Sequence, residues 1–239
     1  MNAFGEAPGW HGKLPTLGDF ASRRLEPAFV EAWDGWLAAG MLALREAEPG
    51  SWLDAYLESP SWRFVLMPGV LGAAVTAQCR AGVLMPSVDR VGRYFPFTIV
   101  QPLGPGPGTS AQMQTLWHWL GRLDELAADA LQEDWDVERL EAELARMAPP
   151  WRGGAGSEPP AGVELPVAPV ADGQLLELPL AAGADAGEAL GAEAQRCWSA
   201  HAGGLAYWYA QPEAKPARLY RSRGLPGAAS LARLLGATI

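Results

Sequence analysis

Cysteine and histidine are scarce in this 239-residue chain, and their scarcity removes several kinds of chemistry. Cys79 and Cys197 stand far apart and neither belongs to a Cys-x-x-Cys pair, so a disulfide framework is not expected. The three histidines, His11, His118 and His201, have no metal-binding spacing with cysteine or carboxylate neighbours. No basic stripe runs along the chain to neutralise phosphates, which argues against nucleic acid and anionic membrane as partners. No apolar run approaches bilayer length, and the first ten residues lack the basic and apolar regions of a signal peptide. A soluble cytoplasmic protein is the expectation, without membrane insertion.

Cofactor signatures are missing too. Gly12-Lys13 is followed by Leu14 where a phosphate loop needs Ser or Thr, and its leading glycine is absent. No Gly-rich dinucleotide fingerprint follows an expected strand, and no cofactor is expected. Pro86-Ser87-Val88-Asp89 is not the Gly-x-Ser-x-Gly of a nucleophile elbow. Ser87, Asp89 and His11 could still form a triad if folding brought them together, since geometry rather than order defines one.

What the chain does have is apolar mass and tryptophan. Hydrophobic residues make up 49% of it, and eleven are tryptophans, enough for a sizeable aromatic-rich core. The net charge of −9 is concentrated: residues 124–146 hold nine acidic and two basic residues. A solvated helix face accounts for that segment, and a docking surface for a basic partner is the sharper alternative.

Periodicity then places the elements. Residues 9–20 read as a short edge strand entering a Pro/Gly loop. Pro27 opens a helix with Phe29, Trp33, Trp36, Leu37, Met41 and Leu44 on one face, ending near residue 46. Ser51 and Asp54 suggest a capped short helix carrying Trp52, Leu53, Tyr56 and Leu57. Strands follow over 62–67, 82–85 and 94–100, with 73–80 leaning to extended structure. Thr109 or Ser110 caps a helix to about residue 131, and Asp136 caps the next. Residues 148–172, with six prolines and four glycines, form a long surface excursion inside a single domain spanning 1–239. Beyond it come a strand at 174–179, a helix at 185–199, strands at 204–210 and 217–221, and a helix from about 227. Helices interspersed with strands predict an α/β fold, a three-layer α/β/α sandwich around a mixed sheet.

The stretch from Ala81 to Thr98 organises the rest. Two β-prone runs flank a polar loop with Ser87, Asp89, Arg90 and Arg93, and Gly92 permits a tight turn. Lys13 and Asp19 sit in the first Gly/Pro loop, and Arg63 lies within a strand where it could snorkel or partner Asp89 or Asp19. Were the two loops to abut at one sheet end, Lys13, Asp19, Arg63, Ser87, Asp89, Arg90 and Arg93 would form one polar cluster. That cluster either recognises a partner or locks the loops by pairing with itself.

The motifs Gly12-Lys13-Leu14-Pro15, Gly18-Asp19-Phe20, Trp62-Arg63-Phe64 and the block Gly82 to Pro96 together resemble the TagF family, also called ImpM. Arg223-Gly224-Leu225-Pro226 resembles its C-terminal region more weakly. The resemblance implies an accessory protein of bacterial type VI secretion: a cytoplasmic, post-translational repressor that binds the forkhead-associated (Fha) scaffold protein. It also implies an α/β/α sandwich, and it carries over no catalytic residue. Two function classes follow: a non-enzymatic regulator working by protein contact, or a hydrolase or small-molecule binder using the 86–93 loop.

Overall fold

The computed structural model describes residues 7–72, 75, 78–104, 106–107, 109–147, 149–150, 172–177, 187, 190, 203–212 and 215–237. Eight strands are β1 (Gly9–Gly12), β2 (Ala21–Arg23), β3 (Trp62–Leu66), β4 (Arg80–Met85), β5 (Phe97–Pro102), β6 (Leu175–Glu177), β7 (Leu205–Ala210) and β8 (Arg218–Arg223). They form one sheet in the order β2-β1-β5-β4-β3-β7-β8-β6. Among the described residues five helices can be delimited: α1 (Pro27–Ala47), α2 (Trp52–Leu57), α3 (Ser110–Gln132), α4 (Val137–Arg146) and α5 (Ala228–Leu234).

Every ladder in the sheet is antiparallel, which corrects the expectation of a mixed sheet. The reason lies in the connections. Sequence-adjacent strands β1/β2, β3/β4, β4/β5 and β7/β8 pair directly, each turning back along its neighbour. A parallel pair needs a crossover that returns to the same sheet end. The helices between β2 and β3 and after β5 therefore cover the sheet without making its neighbours parallel.

The sheet buries both faces because its strands carry apolar side chains on alternate sides. Ala81, Val83 and Met85 of β4 join Met113, Leu116, Leu120 and Leu123 of α3, with Leu140 and Leu144 of α4 beyond them. On the other side Leu84, Phe64 and Trp208 join the α1 stripe Phe29, Trp33, Leu37, Met41 and Leu44. Trp33 lies 5.1 Å from Phe64 and 4.6 Å from Trp36 between ring centroids. Its indole N–H donates to Thr98 Oγ1 at 2.9 Å, so the one polar atom of the ring is satisfied in the core. α5 lies directly on α1, where Gly40 leaves room for the Leu231 side chain.

Local signals met mixed outcomes. Thr109 and Asp136 cap α3 and α4, accepting from the amides of Gln112 at 3.1 Å and Arg139 at 2.8 Å. Ser51 makes no side-chain cap; its hydroxyl donates to Glu48 instead. β1 is not the edge: it is buried throughout, and β2, not anticipated, covers its outer side. Tyr94 forms only an isolated bridge with Val88, and β5 begins at Phe97. Of the expected helix 185–199 only Gly187 and Leu190 are described, both helical, and most of the 148–172 excursion falls outside the described residues.

Candidate functional site

The β1–β2 and β4–β5 connections meet at one end of the sheet, because β1 pairs with β5 and β5 with β4. Gly12 makes the first turn possible. Its φ of 128° suits glycine, and a Cβ there would collide with the Pro96 carbonyl oxygen. The next residue, Lys13, is thereby aimed under the second loop. In that loop Asp89 N donates to Arg93 O at 3.1 Å and Gly92 N to Asp89 O at 3.0 Å, with Gly92 at φ 80°. Arg90 N donates across to Leu17 O at 3.0 Å, stitching the loops backbone to backbone.

Asp89 is the centre of the arrangement, and it is buried. Its Oδ2 accepts from Lys13 Nζ and from Arg93 Nε, each at 2.7 Å. Its Oδ1 accepts from the backbone amides of Val91 at 3.0 Å and Arg93 at 2.9 Å. An ionised carboxylate offers about four acceptor sites. Four donors fill them, so this carboxylate has no lone pair left for a substrate proton or a metal. Burial on its own would push the Asp89 carboxyl up; the Lys13 hydrogen bond and those from Arg93 and Val91 outweigh it and hold the group well below the usual range.

Its partners are equally occupied. The Lys13 ammonium is buried and also lies 4.7 Å from the Phe20 ring centroid. Arg93 donates to the Gly18 carbonyl and stands 3.7 Å from Asp19. Ser87 Oγ donates to Lys13 O at 2.7 Å. Tyr56 of α2 completes the tie: its hydroxyl accepts from Ser87 N at 2.8 Å and donates to Ser87 O at 3.0 Å. Burial drives the Tyr56 phenol upward, the Ser87 hydrogen bond opposing it only partly.

Lys13, Asp19, Ser87, Asp89 and Arg93 thus come together, and Arg90 lies exposed beside them, its guanidinium reaching towards Gly18. Arg63 does not join them. It pairs with Asp124 of α3 at 3.0 Å, which also receives the Ser61 hydroxyl. Arg63 sits at the position opposite Val83 of β4, on the α3 side, so its register takes it away from the loops. The Ser87/Asp89/His11 triad is not assembled either: His11 Nε2 faces Asp34 at 3.3 Å, while Ser87 and Asp89 bond as above. Sequence reading missed Tyr56 and Phe20. Tyr56 fits an apolar helix stripe, and nothing in the pattern sets its hydroxyl apart. Phe20 was visible only as part of the Gly18-Asp19-Phe20 motif.

Above the buried charges the loops present an outer surface. Phe20 and Val91 are two of the large apolar side chains that remain exposed, at 46% and 63%. Arg90 and Arg93, in the same loop as Val91, are exposed as well. Among the described residues no group of histidine, cysteine, aspartate and glutamate is placed to hold a metal. No helix among them is long and apolar enough to cross a membrane.

The fold is thus α/β, an antiparallel sheet with two interlocked loops at one end. The family model described as the TagF N-terminal domain, type VI secretion system-associated, matches residues 9–147, and the chain belongs to that family. The match contains the whole of both loops. The chain is also similar to the crystal structure of PA0076 from Pseudomonas aeruginosa PAO1, at 33% identity and a TM-score of 0.69. That similarity covers 98% of this chain and 96% of the other. No curated protein matches.

Proposed function

We propose that the chain is a non-enzymatic, cytoplasmic negative regulator of type VI secretion, acting post-translationally by binding the Fha scaffold protein. Family membership gives the secretion context. The observation that carries the non-enzymatic part is the saturated Asp89 carboxylate, whose four donors all come from the protein itself. A general base must reach a substrate proton. Here the polar cluster holds two loops together and spends its charges on itself. The lock then serves as a rigid base for what lies outside it. Phe20 and Val91 together with the exposed Arg90 and Arg93 have the composition of a protein-binding patch.

A pulldown tests this reading. The tagged wild type is compared in host cytosol with Arg90→Glu/Val91→Asp, both outer-surface changes that leave the Asp89 bonds intact. Circular dichroism confirms that both proteins fold. Recovery of the Fha protein with wild type and its loss with the folded variant is the expected result. Equal recovery with both would overturn the patch, and absence of the Fha protein from both would overturn the partner.

A further inference from the structure

A second concavity, sharing no lining residue with the loop lock, opens between α2, the start of β8 and the end of α5. Its volume is about 470 Å³, within the range that holds a small-molecule ligand. Three cations line it: Lys215 after β7, Arg218 on β8 and Arg233 in the last turn of α5. Among the described residues, Glu58 is the one carboxylate in the lining. This is unexpected in a chain of net charge −9.

Some of the other described arginines are ion-paired and some, such as Arg45 and Arg122, are not. Arg24, Arg63, Arg80, Arg93, Arg139 and Arg146 each form an ion pair with a carboxylate. Among the described residues, no carboxylate lies within ion-pair distance of Lys215, Arg218 or Arg233, although Glu58 shares the cavity. All three side chains are exposed, so water and salt screen their mutual repulsion, and an anion in the cavity is attracted by each of them. Two guanidinium forks and an ammonium suit a tetrahedral dianion better than a single carboxylate, because each fork can bind two oxygens. The rest of the lining gives the anion a body to carry. Tyr220, its ring 5.7 Å from that of Trp62, forms a fixed aromatic wall, and Leu175, Leu234 and Pro60 add apolar surface.

We propose that this cavity binds a phosphomonoester of a compact ring-bearing small molecule, a mononucleotide being the nearest chemical type. The phosphate lies among Lys215, Arg218 and Arg233, and the ring packs on the Tyr220 side. Nothing here depends on the secretion partner, and the site stands or falls apart from it.

Isothermal titration of the full chain with AMP, with inorganic phosphate and with adenosine is the test, at constant ionic strength. Saturable AMP binding that is stronger than either half alone is expected. Replacing Arg218 and Arg233 by Gln should weaken AMP binding by about tenfold per arginine, as loss of a charge-assisted hydrogen bond does. Glu58→Gln should tighten it, since it removes a negative charge from the lining; this opposite sign holds the proposal to account even if the double variant fails to fold. No saturable binding of AMP or phosphate overturns the proposal. Binding unchanged in both the arginine and the Glu58 variants overturns it as well.

Discussion

Replacing Tyr56 by Phe removes one oxygen atom and should cost the protein far more than a surface change. The hydroxyl is buried and serves both backbone groups of Ser87, accepting at 2.8 Å and donating at 3.0 Å. The two groups do not suffer equally. Ser87 O keeps a donor, the amide of Phe95 at 3.1 Å, but Ser87 N–H loses its acceptor inside the protein. An orphaned buried donor costs about 1–3 kcal/mol, and the net loss of a good hydrogen bond adds about 1. A destabilisation of about 2–4 kcal/mol follows, which for a chain of this size lowers Tm by roughly 4–16 °C. Thermal unfolding followed by circular dichroism reads it, with urea unfolding at an unchanged m-value confirming that the native state is otherwise intact. The pH dependence gives a second check. The folded phenol is raised above the ordinary value of 10.0, so its contribution is complete below pH 10 and declines above it, where the unfolded chain ionises first. The gap between wild type and variant should therefore narrow in alkali. A loss below about 0.5 kcal/mol, the scale of an ordinary surface substitution, would refute the reasoning.

Asp89→Asn should destabilise strongly at pH 7, because it leaves Lys13 buried without its counter-charge. The folded carboxyl is held low, so its stabilisation is present above the unfolded value near 3.8 and is lost as pH falls below that. Denaturant midpoints of wild type and variant should differ more at pH 7 than at pH 3, and an equal gap would contradict the lock. Gly40→Val should overpack the α1–α5 contact, since even a Cβ there collides with Leu231. A loss of roughly 1–3 kcal/mol in urea unfolding is expected, and a stability equal to wild type would contradict the close approach.

The helices were legible because their signals are local. The Phe29–Leu44 stripe of α1 and the Thr109 and Asp136 caps can be read within a few residues. The loop cluster was half legible. The chain motifs showed that Lys13, Asp19, Asp89 and Arg93 belonged to two distinctive loops, and the abutting of those loops was the inference that joined them. Arg63 was misplaced for a reason periodicity cannot repair. A strand alternates between faces, so its side chain depends on register against β4, and the acidic helix that supplies Asp124 lies about sixty residues away in sequence. Strand direction failed similarly. Helices between strands suggest crossovers, but whether a chain returns parallel or antiparallel depends on which sheet end it re-enters. Tyr56 and the cavity below α5 were out of reach, since each is assembled from segments that share no motif.

The strand order has a consequence for any attempt to cut the protein. β3 is flanked by β4 on one side and by β7 on the other, and β7 lies beyond the 9–147 span. Removing everything after residue 147 would strip the backbone of Arg63 to Leu66 of its partners on that side. It would also uncover the indoles of Trp33 and Trp36, against which Trp208 packs, and the Gly40 notch filled by Leu231. A bare strand beside exposed indoles is a template for pairing with another copy. The sequence module named in the family is thus a unit of ancestry, while the unit of solubility needs the C-terminal strands to close it.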